Sequence, residues 1–279
     1  NLNQNVDFVV NIHNHLGSVL FVNGEQNESY VSEIQHVRRR ETIAMTPANA
    51  FYALKSLIKD ATATNNENTA ANKKAVKATI KDITEAPTDA LVASSGLSIQ
   101  YAILMGLIHD AKENHAGKNI KIVVPPNCYG GTNDQARRVA ACLPNVAIVD
   151  LPVDGDNDMV QSIEQVLTTI ALEDAVPYII AEIPTNPRVE VPNLSALRDA
   201  LSKERKTASG NLAVDPVFIL DQTFCPNVHF LGANEILSTV RTISFASGSK
   251  FPSGGKCTAG FCVGNNKTKA LIEKIELHL

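Results

Sequence analysis

From Asp89 onward the chain alternates short, continuous apolar runs with segments of helical period. No other feature constrains the fold as tightly. Residues 90–93, 120–124, 146–151, 178–183, 217–220, 241–246 and 258–263 read as strands, and 99–114, 135–143, 159–171 and 194–203 as helices between them. A strand that is apolar on consecutive residues must be covered on both faces, which polar-out antiparallel sheets do not do. The pattern therefore predicts an α/β fold, a mostly parallel seven-stranded sheet with helices on both faces. Ligands of such sheets gather beyond the carboxyl ends of the strands.

The first part of the chain is less regular. Residues 1–44 have weak periodicity. His13-Asn14-His15, two histidines without a third partner, reads as a polar loop. Arg38-Arg39-Arg40 reads as a solvated helix face, with a phosphate contact across a dimer interface as the alternative, and Tyr30 lies nearby. Thr46-Pro47 reads as an N-cap and first helical position, followed by Phe51, Leu54, Leu57 and Ile58 at helical spacing. Residues 61–72 are alanine, threonine and asparagine apart from Glu67 and predict a loop or frayed insertion; 73–83 predict a short amphipathic helix. Two units follow: an N-terminal helical and extended segment, 1–84, that contacts a partner copy, and a large domain, 85–279.

Composition excludes several functions. A net charge of −4 over 279 residues gives no basic footprint for nucleic acid or an anionic membrane. No apolar run reaches the length of a membrane span, and no signal-peptide pattern opens the sequence. Five cysteines without framework spacing fit a reducing compartment, the cytoplasm. Cys257 and Cys262 lie five apart in a predicted strand and so face opposite sides, which argues against a metal site. The chain opens on Asn1 and closes on a helix-like run, 267–279, without a stop signal, so its ends read as cut.

The chemistry sits at the predicted strand ends. Residues 240–245 lead into Ala246-Ser247-Gly248-Ser249-Lys250, small residues around a single lysine. Such a lysine can be kept partly dry and nucleophilic, a natural partner for an aldehyde, and the hydroxyls of Ser247 and Ser249 can hold a phosphate beside it. These properties point to pyridoxal phosphate (PLP) on Lys250, against the alternative of a surface lysine after a buried strand. Ser94-Ser95-Gly96-Leu97 opens a helix, a phosphate site or a plain N-cap. Tyr129, in Tyr129-Gly130-Gly131-Thr132, can lay its ring on a planar cofactor and transfer a proton, or simply cap the core. Asn186, in Pro184-Thr185-Asn186-Pro187, can hydrogen-bond a phenolic oxygen, or belong to an ordinary turn. Asp221, in Asp221-Gln222-Thr223-Phe224, needs a positive partner; a protonated pyridine nitrogen or a loop cation would serve.

With these five motifs in this order, the stretch from about Asp89 to Gly264 resembles the Cys/Met-metabolism family of PLP-dependent enzymes, the cystathionine γ-synthases, cystathionine lyases and methionine γ-lyase. The resemblance implies the aspartate-aminotransferase-like (type I) large-domain fold, with residues 85–279 binding PLP. It implies phosphate bonds from Gly96, Leu97, Ser247 and Ser249 beside Ser95, and stacking by Tyr129. Asn186 would lie near the phenolic oxygen, Asp221 would pair with the ring nitrogen, and Thr223 would support the ring from the Lys250 side. It also implies a homotetramer built as a dimer of dimers with active sites at the dimer interface. Phe251 and Gln222 depart from the family's tyrosine and asparagine. Neither its N-terminal Tyr-Ser-Arg pattern nor its smaller C-terminal domain, with the arginine that grips the substrate carboxylate, has a counterpart here.

The activity so implied is elimination or replacement at Cβ or Cγ of a sulfur amino acid of the cystathionine type, a step of amino-acid biosynthesis. Lys250 would act as the Cα base, and Tyr129 and Lys250 would shuttle protons. The rivals are another type I PLP enzyme, such as an aminotransferase, and a catalytically inactive PLP-binding subunit. A dinucleotide-binding domain is disfavoured, because no Gly-x-Gly-x-x-Gly follows an early strand.

Overall fold

A computed structural model describes residues 6–13, 17–41, 47–58, 68–153, 158–255 and 257–279. The chain begins with a hairpin, β1 (Phe8–His13) and β2 (Gly17–Val22), followed by α1 (Glu28–Glu41), α2 (Pro47–Leu57) and α3 (Thr69–Thr84). The central region runs β3 (Leu91–Ala93), α4 (Gly96–Asn114), β4 (Ile120–Val124), α5 (Gly130–Cys142), β5 (Val146–Asp150), α6 (Met159–Leu172), β6 (Val176–Glu182) and α7 (Leu194–Ser202). It ends with β7 (Val217–Asp221), β8 (Thr242–Ser247), β9 (Gly260–Gly264) and α8 (Lys269–Glu276).

The seven-stranded sheet has the order β3-β9-β8-β7-β6-β4-β5. Strands β8, β7, β6, β4 and β5 pair in parallel, while β9 runs antiparallel to both β8 and β3. Two antiparallel steps restore direction, so β3 points the same way as β8. The carboxyl ends of β3, β4, β6, β7 and β8 therefore share one edge of the sheet.

Alternation within the strands builds two cores. Tyr178, Ile180, Val217 and Ile219 face one layer with Ile99, Ile103 and Leu107 of α4, Ala136 of α5 and Ile275 of α8. Ile179, Ala181, Phe218 and Leu220 face the other with Ile163 and Leu167 of α6 and Leu197 of α7. Each large side chain fully withdrawn from water contributes about 1.5–3 kcal/mol. The two-sided demand explains why β6 and β7 are buried at every position. At the sheet's rim, β5 is only partly covered.

The structure differs from the sequence reading at several boundaries. Residues 8–13 and 17–22 pair antiparallel where periodicity is weak, because both strands carry apolar side chains on both faces; Val10 and Ile12 are exposed. Helix α3 starts at Thr69, so its first turn occupies the end of the expected loop, whose residues 61–67 lie outside the description. Helices α4 and α5 start three and five residues earlier than their apolar periods at 99 and 135. Gly130 and Gly131 form a first helical turn despite low helix propensity. Strand β9 begins at Gly260, so Cys257 precedes it, and the expectation that a shared strand turns Cys257 and Cys262 to opposite faces does not apply. The terminal run is a 3-10 turn followed by α8 rather than one helix. Asn14, His15 and Thr46 lie outside the described residues, as do the side chains of His13 and of Arg38 to Arg40 on α1.

One polar contact ties the sheet to α4. The buried Tyr178 hydroxyl donates to the Leu107 carbonyl at 2.7 Å, and burial pushes its pKa up. Tyr178→Phe keeps the packing and removes this bond, so urea denaturation should show a loss of about 1 kcal/mol with an unchanged m-value.

Candidate active site

The loops after β3, β4, β6, β7 and β8 converge on one cleft. Counted out to its open mouth, solvent included, it spans about 770 Å³. Ser95, Gly96, Leu97, Tyr129, Asn186, Asp221, Thr223, Ser247, Ser249 and Lys250 all line it. The structure thus brings together every site residue expected from sequence.

Ser95 is the N-cap of α4; its hydroxyl accepts the Ser98 N–H at 3.0 Å. The next N–H groups, of Gly96 and Leu97, lie in the first turn and have no partner one turn back in the helix. Two glycines let this helix start press against the sheet. A Cβ on Gly96 would lie 2.8 Å from that of Ser247, and one on Gly260 would lie 2.1 Å from the Ser95 carbonyl oxygen. The Ser247 and Ser249 hydroxyls share a hydrogen bond of 2.8 Å. Helix N–H groups and paired hydroxyls on one wall suit an anion.

Tyr129 is the N-cap of α5 and leaves its ring half-exposed to the cleft. Its main-chain N–H donates to Glu182 Oε1 at 2.7 Å, and the Asn186 N–H donates to Glu182 Oε2 at 3.1 Å. One carboxylate at the end of β6 therefore holds two cleft loops. Asn186 sits between two cis peptides, Ile183–Pro184 and Asn186–Pro187. Sequence reasoning missed Glu182, although a lone acid ending an all-apolar strand was a legible signal.

Asp221 ends β7 directly opposite Glu182 in the strand register. Its Oδ1 accepts the Thr223 N–H at 2.9 Å, and Thr223 Oγ1 accepts the Ser247 N–H at 3.0 Å. This chain links the β7 and β8 ends. Gln222 turns the other way: its amide donates to the Cys225 and Val228 carbonyls and accepts from the Ser244 hydroxyl. It shapes the loop after β7 rather than lining the cleft.

Burial raises the Asp221 pKa above the ordinary carboxylate range. Burial, and then the neighbouring Asp221 charge, raise that of Glu182. Among the described residues no lysine, arginine or histidine lies within ion-pair distance of Asp221. Burial and these two carboxylates push the Cys128 thiol up to about 12, which disfavours it as a nucleophile.

Lys250 corrects one expectation. It is exposed, on the turn that follows β8, and not kept dry between small residues. Glycine and serine neighbours lack the bulk to shield a four-carbon side chain. Beside it, Phe251 and Phe224 form a tilted pair with centroids 6.0 Å apart. Thr132, Pro184 and Phe224, from the same motifs, also line the cleft, as do Gln100 and Phe245, which carried no legible signal.

These residues fit PLP. The anion wall, the half-exposed aromatic ring, the amine and a buried acid without a protein cation answer its phosphate, ring, aldehyde and basic nitrogen.

No protein-family model matches the chain, and no curated protein matches it. Solved structures do. The crystal structure of cystathione gamma lyase (CalE6) from Micromonospora echinospora superposes with a TM-score of 0.51 at 18% identity, covering 74% of this chain and 45% of that one. The metB structure from Corynebacterium glutamicum superposes more loosely, with a TM-score of 0.48 at 19% identity, covering 73% and 45%, and adds no weight. This chain thus spans less than half the length of either. At such identity the likeness establishes fold alone, and that fold is the aspartate-aminotransferase-like (type I) large domain.

The raised carboxyls set the sign of a pH effect. Each binds its proton more tightly when folded, so its contribution to stability is greatest below the unfolded pKa and is lost as pH rises through the folded one. Their share of the stability of the ligand-free protein should therefore fall as pH rises above the ordinary carboxylate range, against the opposite trend of His115 and His278, whose pKa values burial lowers. Asp221→Asn, which keeps the acceptor for Thr223, should flatten that slope and raise the neutral-pH melting temperature.

Proposed function

We propose that this chain is the large-domain part of a PLP-dependent lyase or transferase, acting on sulfur-containing amino acids by β- or γ-elimination or by γ-replacement. One observation carries the reading: ten residues read from five separate motifs line a single cleft, on the fold shared with a cystathione gamma lyase. When bound, PLP supplies an electron sink for a carbanion formed beside the substrate's amino group.

The chain's own residues have the following parts. The N–H groups of Gly96 and Leu97 and the hydroxyls of Ser247 and Ser249 bind phosphate, and Ser95 keeps their helix start in place. The Tyr129 ring would stack on the cofactor and the Asn186 amide would hydrogen-bond its phenolic oxygen. The Asp221 carboxylate would keep the ring nitrogen protonated, and Thr223 ties that acid's loop to the serine turn. Lys250 is a catalytic residue: its Nζ would hold the aldehyde of the cofactor, and it would serve as the base that takes and returns the Cα proton. Tyr129 Oη carries a proton to the departing group.

By the same reading the active protein is a cytoplasmic homo-oligomer, a dimer of dimers whose neighbouring copies complete each site; residues 1–84 form the contacting segment and 85–279 the PLP-binding domain. Among the described residues no helix is long and apolar enough to cross a membrane. A second reading, a PLP-binding chain without turnover, is favoured by one feature: no arginine lines the cleft among the described residues to grip a substrate carboxylate.

The test is direct. PLP added to the protein should give a visible absorption band, and borohydride should then fix the cofactor's mass on the peptide containing Lys250. Lys250→Ala should lose the band and at least about 10³-fold in turnover. Release of a thiol, ammonia and a keto acid from a sulfur amino acid supports elimination, whereas a keto acid with aminated cofactor indicates transamination. A band without turnover supports the second reading, and absence of both band and adduct overturns the proposal.

A further inference from the structure

Helices α4 and α5 supply two walls of the cleft, the phosphate-facing turn at Gly96 and Leu97 and the aromatic wall at Tyr129. Their first turns are joined by two buried glutamines. Gln100 of α4, 1% exposed, donates its amide to the Thr132 carbonyl of α5 at 3.2 Å. Gln135 of α5, 3% exposed, donates its amide to the Leu97 carbonyl of α4 at 3.0 Å. Each glutamine, in the second turn of its own helix, thus holds a main-chain carbonyl in the first turn of the other. Packing alone would not call for this arrangement. Both glutamine Oε1 atoms are buried without a protein partner among the described residues, a cost that leucine at either position would avoid.

The residues between the two bonds show what the pair holds. A Cβ built on Gly131 would lie 2.6 Å from Cε1 of the Tyr129 ring and 3.2 Å from both methyl carbons of Leu97. The Tyr129 ring and the Leu97 side chain therefore meet against the same glycine, and a slip of one helix start past the other would separate them. Ring seating and anion site move as one body while both amides hold.

We infer that Gln100 and Gln135 are positioning residues, a reciprocal amide clasp that sets the Tyr129 ring against the anion-binding turn of α4. What the clasp serves rests on the proposed PLP reading; the clasp itself does not.

The chain contains no tryptophan, so Tyr129→Trp installs a single fluorescent reporter on the aromatic wall. Time-resolved anisotropy of this reporter is compared in the otherwise native chain, with Gln100→Met, with Gln135→Met and with both. Each single substitution should increase the fast-depolarising amplitude about twofold, and the double should do less than the sum, because the bonds act as a pair. Without the reporter, the same substitutions should weaken PLP binding by about 5–30-fold, the loss expected of one buried hydrogen bond. Should a methionine variant fail to fold, Gln135→Asn, which withdraws the amide by one methylene, gives the same readings. Unchanged anisotropy and affinity with only a lower melting temperature would make the glutamines structural and overturn the inference; additive effects would overturn the clasp. If the unmodified chain binds no PLP, the proposed function fails while the anisotropy still decides the clasp.

Discussion

A carboxylate sits at the carboxyl end of a central strand, buried, with a second acid beside it and no protein cation within reach among the described residues. Asp221 is thus a costly group for the fold to carry. The surroundings mitigate the cost only in part: the Thr223 N–H reaches Oδ1, while Glu182 adds a repulsive neighbour. Burial lets the acid keep its proton, and under the proposed function a protonated ring nitrogen would supply the missing cation. Much else in the cleft can be understood as the frame around that acid.

The frame is assembled by the sheet. Two antiparallel steps at β9 return β3 to the common direction, so its loop joins those of β4, β6, β7 and β8 along one edge. Short polar links then join the loops in series. Glu182 ties the loop after β4 to the loop after β6; Thr223 ties β7 to β8; the glutamines tie α4 to α5. Each link uses main-chain atoms on at least one side, which fixes backbone position more firmly than contacts between side-chain tips.

The strands were legible because burial on both faces leaves an unbroken apolar run, and the cleft residues because they stand where those runs end. Tyr129, Asn186, Asp221 and Lys250 follow such strand ends, and their motifs in one order, rather than any one of them, carried the reading. The start of α5 was less legible: Gly130 and Gly131 carry no helical period, and Gly131 meets the Tyr129 ring and Leu97 at a distance that only three dimensions reveal. Gln100 and Gln135 escaped for a related reason. Their partners are main-chain atoms 32 and 38 residues away in sequence, and main-chain atoms leave no signature in a string of side chains; Glu182 stood out as an acid ending an apolar strand, but its reach to the Tyr129 N–H, 53 residues back, did not. The exposure of Lys250 was misjudged because small neighbours were taken as enclosing, whereas they leave a long side chain open to water.

The central claim is that Asp221 awaits a cation supplied by the cofactor, and its own titration tests this most directly. With the aspartate carboxyl carbons labelled by carbon-13, NMR can follow Asp221, assigned through Asp221→Asn, across pH before and after PLP is added. A midpoint above the ordinary carboxylate range that falls below it once PLP binds is the predicted result. A midpoint already ordinary in the ligand-free protein, or one that PLP leaves unmoved, would contradict the account.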